Sequence, residues 1–408
     1  MFAGVAVSLA QEFNLSIPTA LLDNDRIIVA EPQQDMRMIV VHQLQKLQFK
    51  QIIQCRDGME VLSALKKQDV AAIICTMELP DMDGLELLSE IREDLEINRP
   101  PFCLAMGQVS KEKLMLAVET GVDEILVKPF TLGDIVPKLR KAFKTFHNPK
   151  NPEKVYELAK EKLRSGRSEE SEKIYQRLCE SAPQAARPLV GLAKVASAKQ
   201  EYEQAFKLLE SAQEKNDQYV HIFSLRGDIY LAQGEHDSGI AAYRHGIGMS
   251  PLNPNRYKKA GEALFAQAKY HDVVDILKSA LSKKVHFKEI YDFLSQACYN
   301  LKDYERSAKY IRRAVEKEPD NITYLNQLAL SLKECGELEE AKKFYNKVIK
   351  LDPDNKQALF NKAIMLAQTG KEQEAIKILE RMVKKFPDFD KGIKKLEELN
   401  AKSEEGGA

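Results

Sequence analysis

The residues best suited to bind a metal or act as nucleophiles are six cysteines, Cys55, Cys75, Cys103, Cys179, Cys298 and Cys335, and seven histidines. Metal and dithiol chemistry needs its ligands gathered at short spacing, as in C-x-x-C or H-E-x-x-H, so that one turn presents both donors. Neither spacing occurs. Several of the cysteines lie in apolar runs, which points to buried free thiols in a reducing compartment. No Walker loop, no dinucleotide fingerprint after a strand and no defensible Ser–His–Asp set is found. Neither enzymatic catalysis nor a bound metal or cofactor is therefore expected. Sixty-one basic residues balance sixty-one acidic ones, which removes the global electrostatic case for nucleic acid and leaves open only a local patch. The longest apolar runs, such as Val70–Cys75, fall far short of the ~20 residues of a spanning helix. The start, MFAGVAVSLAQEF, has neither a basic segment nor a small-residue cleavage site. Neither membrane insertion nor a signal peptide is expected.

At roughly 150 residues per domain, 408 residues make two to three folding units, and two sequence regimes meet near residue 150. In the first, β-rich runs (Arg26–Ala30, Gln51–Cys55, Val70–Cys75, Phe102–Met106, Glu124–Val127) alternate with helical patterns (Met36–Phe49, Met59–Lys67, Leu85–Arg92, Ser110–Thr120, Leu132–Phe146). Five β–α units, with the third and fourth runs almost wholly apolar, predict an α/β doubly wound, five-stranded parallel sheet covered on both faces. Pro137 should kink the last helix or delay its start. Asp57, before Gly58 at a helix start, reads as a cap. Residues 1–24 form an N-terminal extension, 25–147 the α/β domain and 148–151 a short semi-rigid linker, stiffened by Pro149 within it and Pro152 after it.

The second regime is all helical and repeats. Small residues recur every 34 positions: Ala159, Ala193, Gly227, Gly261, Ser295, Ala329 and Ala363. Twelve residues after each stand Ser171, Ala205, Gly239, Val273, Ser307, Ala341 and Ala375, and twelve further on Pro183, Asp217, Pro251, Val285, Pro319, Pro353 and Pro387. Two antiparallel helices can cross closely only where side chains are small, and a proline ends the second helix by removing a donor. Bulky residues fill the seams: Tyr230, Leu264, Leu332 and Leu366 on first helices, Leu209, Tyr243, Leu277 and Tyr345 on second ones. This period resembles the tetratricopeptide repeat, as seven repeats over 152–389. A capping helix follows over 390–402, then a disordered polar tail, 403–408. The resemblance implies an all-α superhelical solenoid whose groove, lined by first helices, binds protein or peptide partners. Here those positions include Tyr156, Lys160, Lys194, Asp228, Lys258, Glu262, Asp292, Gln296, Asn326, Phe360 and Asn361. They are mixed in type. No three consecutive repeats carry the Lys/Asn/Asn/Lys/Arg set with which some members hold a C-terminal carboxylate.

In the first regime, Met82-Asp83-Gly84-Leu85-Glu86-Leu87-Leu88 follows the third strand, Lys128-Pro129-Phe130-Thr131 follows the fifth, and Arg56-Asp57-Gly58-Met59-Glu60 opens the second helix. The ordered set resembles the receiver domain of two-component response regulators. That resemblance implies phosphoryl transfer by an acidic pair after strand one that helps hold Mg²⁺, an attacking Asp ending strand three, a Thr or Ser after strand four and a Lys after strand five. Here the acidic pair reads Glu31-Pro32, the acceptor position Thr76, the hydroxyl position Met106 and the aromatic position Ile125. Only Lys128 is retained, and the resemblance implies a cis bond to Pro129. Thr76 lacks both the charge and an evident base, so the pocket is expected to be inactive. Lys128 either pairs with Glu31, reaches solvent or keeps a signalling role.

The leading expectation is a cytoplasmic bacterial signalling adaptor of the response-regulator, two-component type: a pseudo-receiver that docks partners while the repeats recruit others. The resemblance puts the docking face on the fourth helix, fifth strand and fifth helix, with Lys111, Lys113, Glu119, Lys138 and Lys141. The alternatives are a phosphorelay regulator with an unusual acceptor, such as Asp81 or Asp83, and a structural assembly subunit. In the last, a homodimer could form through the receiver-like domain.

Overall fold

The computed structural model describes residues 26–47, 49–80, 82–93, 100–147 and 152–405. The expected extension 1–24, the linker 148–151, the residues 406–408 and Asp81 lie outside them. The backbone divides into two compact units, Met1–Arg226 and Gly227–Ala408.

The first unit opens with β1 (Arg26–Ala30), α1 (Gln34–Lys46), β2 (Gln51–Cys55), α2 (Gly58–Lys67), β3 (Ala72–Thr76), α3 (Gly84–Glu93), β4 (Phe102–Met106), α4 (Lys111–Thr120), β5 (Glu124–Val127) and α5 (Leu132–His147). The strands pair in parallel in the order β2-β1-β3-β4-β5. Every residue of β3 and β4 is buried, as their unbroken apolar runs require when helices cover both faces. One face packs Ile27, Val29, Ile74, Cys103 and Leu126 against Val40, Leu44, Ile135, Leu139 and Phe143 of α1 and α5. β3 begins two residues later than the apolar run and extends to Thr76. Pro137 lies inside α5, which begins at Leu132 without delay. The carboxylate of Asp134 secures that start by accepting from the backbone N–H and hydroxyl of Thr131, at 2.7 and 2.8 Å.

Helices fill the rest. In the first unit lie α6 (Pro152–Arg164), α7 (Ser168–Ser181), α8 (Ala186–Ala198) and α9 (Tyr202–Lys215), and α10 (His221–Ala232) spans the division. In the second lie α11 (His236–Met249), α12 (Pro254–Ala266), α13 (Tyr270–Ser282), α14 (Ile290–Asn300), α15 (Tyr304–Lys317), α16 (Ile322–Glu334), α17 (Leu338–Leu351), α18 (Lys356–Gln368), α19 (Glu372–Lys385) and α20 (Asp390–Glu405). α20 runs three residues past its expected end, into the stretch assigned to the tail.

The 34-residue small positions are the crossing points. Ala159, Ala193, Ser295, Ala329 and Ala363 are fully buried, as are Ser171, Ala205, Ser307, Ala341 and Ala375. A Cβ on Gly227 would come within 2.7 Å of the Tyr243 ring, so the bulky residue of one helix sits on the bare backbone of the other. Tyr230 departs from the expected seam and is only half-buried. Pro183, Pro251, Pro319, Pro353 and Pro387 each stand two residues beyond a second helix. A further regularity was not read from sequence. Gly166, Gln200, Gly234, Ala268, Lys302, Gly336 and Gly370, also 34 apart, all take positive φ at the turn inside the pair. Glycine fills four of these seven turns, and Gln200, Ala268 and Lys302 hold positive φ at a cost of about 1–2 kcal/mol each.

Candidate functional site

The pocket sits at the C-terminal ends of β1, β3, β4 and β5. Glu31 follows β1, Thr76 ends β3, Met106 ends β4, and Lys128 follows β5 and is joined to Pro129 by a cis peptide bond. Glu31, Thr76 and Met106 are buried. The Lys128 ammonium donates to Glu31 Oε2 at 2.5 Å and to Thr76 Oγ1 at 2.8 Å. Of the outcomes open to Lys128, the ion pair with Glu31 is realised, and the Thr76 hydroxyl completes it. The other Glu31 oxygen accepts from the backbone N–H of Gln33 at 3.2 Å. Ala30 and Pro32 flank Glu31, so either neighbour leaves a single carboxylate where metal-assisted chemistry would need a pair.

The surrounding loops are built for fit. Asp83 Oδ1 accepts from the N–H groups of Leu85 and Glu86, both at 2.8 Å, and so caps α3. Gly84 must be glycine, since a Cβ there would meet the Thr76 carbonyl oxygen at 2.6 Å and Leu104 at 2.9 Å. Asp57 is the cap anticipated, accepting from Glu60 N at 2.8 Å. Arg37 was not anticipated. It is buried on α1 and donates from Nη1 to the carbonyls of Glu31 and Pro32, at 2.5 and 3.2 Å, which fixes the loop that carries the carboxylate. Its only sequence signal was a charged residue on an apolar helix face. Burial pushes the Cys55 thiol up to about 12 and those of Cys75 and Cys103 further, so all three are held as inert thiols. Among the described residues no three His, Cys, Asp or Glu are close enough together to hold a metal ion.

On the expected docking face, Lys111 is exposed and Lys113 and Glu119 are half-buried. Lys138 and Lys141 both reach the buried Glu124, at 3.5 and 2.6 Å. Exposed apolar side chains on and beside the same elements went unread: Val109, Leu114, Val118 and Val127. The groove residues named above all fall on first helices. Tyr156 and Asn361 are buried, Tyr156 in a core cluster with Tyr175. Asp228 takes the Tyr243 hydroxyl at 2.6 Å and Lys259 at 3.1 Å, and Lys258 pairs with Glu289 at 3.2 Å. Burial and the nearby Glu289 hold the Asp292 carboxyl above its ordinary range, against a hydrogen bond from Gln296. Asn326 donates to Asn355 at 3.2 Å. Lys160 pairs with Glu157 within its own helix, at 2.6 Å. Lys194 and Glu262 are exposed, and Phe360 makes an edge contact with Phe389.

A parallel β2-β1-β3-β4-β5 sheet with a strand-end pocket, followed by paired helices at a 34-residue period, defines a receiver domain joined to a tetratricopeptide solenoid. Residues 27–140 match the response regulator receiver domain, residues 154–266 a tetratricopeptide repeat-like domain, and residues 288–321 and 334–398 tetratricopeptide repeats. The chain is 32% identical over 120 residues to the chemotaxis protein CheY-3 of Vibrio cholerae, covering 29% of this chain and 92% of that protein. It is 28% identical over 115 residues to a CheY homologue of Campylobacter jejuni, covering 28% and 88%. The C-terminal part of a tetratricopeptide repeat protein from Cytophaga hutchinsonii shares the fold, with a TM-score of 0.50, 15% identity and coverage of 59% of this chain and 98% of that one. This chain belongs to the response regulator receiver family and carries tetratricopeptide repeats behind its receiver.

Proposed function

We propose that this chain is a two-component-type signalling adaptor whose receiver no longer accepts phosphate on aspartate. The observation that carries this reading is the pairing of Lys128 with Glu31 and Thr76. A phosphorylatable receiver needs an anionic attacker and a metal to gather charge. Here an alcohol takes the attacker's place, and the lysine already spends two of its donors inside the pocket. Asp83 is a poor substitute, because its carboxylate is engaged at the start of α3.

The receiver then works as a fixed docking block in a bacterial cytoplasm. Its contact face combines Lys111 and Lys113 with the exposed Val109, Leu114, Val118 and Val127, an apolar patch with a basic edge. The first helices of the repeats supply a second, mixed polar surface for a protein or peptide. Among the described residues no helix is long and apolar enough to cross a membrane. The test is incubation with acetyl phosphate, or beryllofluoride, and Mg²⁺. The intact mass and the amide spectrum are expected to stay unchanged, and stoichiometric, metal-dependent labelling would overturn the reading.

A further inference from the structure

The first helices of the repeats carry one carboxylate without a counter-charge. Helices α12, α14, α16 and α18 touch one another in succession. One repeat position on them, recurring every 34 residues, reads Lys258, Asp292, Asn326 and Phe360. Around α14 the charges can be paired off. Lys258 is taken by Glu289 at 3.2 Å. Lys288, four residues before Asp292, is turned to Glu318 at 3.4 Å. The buried Tyr324 on α16 places the carboxylates together: its phenol is pushed up to about 12 by burial and then by Glu318, Asp292 and Glu289. Three carboxylates therefore share two ammonium groups, and the one left over is Asp292.

Asp292 is half-buried. Its Oδ1 accepts from Gln296 Nε2 at 2.9 Å, on its own helix, and among the described residues no cation pairs with it. Removing such a carboxylate from water costs free energy that one neutral donor only partly offsets. Next along the row, Asn326 donates to Asn355 at 3.2 Å, while its own Oδ1 is covered and takes no donor. This stretch of the face is short of both positive charge and N–H groups.

We propose that this face binds a partner's peptide segment through an arginine seated on Asp292. The proposal rests on the reading of the first helices as a peptide surface and names the chemistry of what they hold. Arginine supplies what is missing, a permanent positive charge and a planar fork of N–H groups that meets both oxygens of one carboxylate. A metal ion fits less well, since among the described residues no three His, Cys, Asp or Glu are close enough to hold one. A phosphate chain is repelled by the unpaired charge.

The test selects peptides from a random phage-displayed library on the full chain. A recovered peptide is then synthesised with arginine or with citrulline, its neutral isostere. Recovered sequences are expected to be enriched in arginine. Citrulline in the peptide, or Asp292→Asn in the chain, should each weaken binding about tenfold or more in calorimetry. Asp292→Asn should bind both peptides alike, because the same contact is then removed twice. The citrulline arm uses the unaltered chain, so it holds whatever Asp292→Asn does to folding. Glu262→Trp, an exposed plug on the neighbouring α12, separates the two readings. Binding that the plug blocks but that citrulline and Asp292→Asn leave unchanged would overturn the arginine contact alone. Binding indifferent to both substitutions would overturn the peptide face as well. A recovered set enriched in acidic residues, or in lysine over arginine, would also overturn the assignment.

Discussion

Replacing Lys128 by methionine keeps its volume and removes its charge, which leaves the Glu31 carboxylate buried with one backbone donor. Breaking a buried ion pair from one side costs about 3–5 kcal/mol, most of it the penalty of the abandoned charge. Lys128 keeps about a fifth of its side chain in water and Glu31 less than a tenth, so partial solvation places the effect at the lower end, about 3 kcal/mol. The chain has no tryptophan and divides into two compact units, so a single global unfolding curve would not isolate the pocket. Native-state hydrogen exchange does, through peptides covering β1 and β3. A loss of about 3 kcal/mol is roughly two decades of protection in those strands. Adding Glu31→Gln to the variant should return more than half of that, because the amide needs no counter-charge. Protection in K128M within threefold of the parent, or no recovery in E31Q/K128M, would refute the account of Lys128 as the structural partner of Glu31.

Thr76→Asp alone is expected to remain unlabelled by acetyl phosphate and Mg²⁺ in intact-mass measurements, because Glu31 stands between Ala30 and Pro32 without a second metal-binding carboxylate. Gly84→Ala should destabilise the receiver by about 2 kcal/mol in the same exchange experiment, since its Cβ meets a backbone oxygen that cannot move aside. Gln200→Gly, Ala268→Gly and Lys302→Gly should each raise local stability by about 0.5 kcal/mol in the same exchange experiment, read through peptides covering the flanking helices. Relief of positive φ contributes about 1–2 kcal/mol, and the more flexible unfolded chain offsets about 0.4–1. Brief iodoacetamide treatment of the native chain should modify the half-buried Cys179 and Cys335 before Cys55, Cys75, Cys103 and Cys298 when read by peptide mass mapping.

The elements were legible because periodicity is a backbone-scale property. The apolar runs at β1, β2, β4 and β5 match the strands residue for residue, and the 34-residue recurrence of Ala, Gly and Ser falls on the helix crossings. β3 was displaced by two residues because Val70 and Ala71 are apolar yet lie ahead of the ladder, which begins at Ala72. The pocket was legible as a set of positions, and its bonding was not. Whether Lys128 faced Glu31 or water depends on β1 and β5, which are not neighbours in the sheet, so no spacing along the chain encodes that choice. Arg37 was missed for a related reason: its partners are carbonyls of Glu31 and Pro32, and a backbone acceptor leaves no trace in residue type.

The same distinction explains the surfaces. Lys138 and Lys141 look like free docking charges in sequence, yet both lean on Glu124, a carboxylate buried on the edge strand β5. A lysine held that way stabilises its own domain first and has less to offer a partner. Val118 carries the opposite lesson. Helical periodicity assigns an apolar residue to a core, yet this side chain stands three-quarters exposed, leaving apolar surface that only an outside contact could remove from water. On the proposed reading, a receiver that accepts no phosphate on aspartate has no chemical switch with which to hide that surface, and its docking face is set by packing. Partner binding should then be indifferent to phosphodonors and sensitive to Val118→Lys, which on pull-down from a parent-competent lysate should lower recovery severalfold while leaving exchange protection in β3 unchanged.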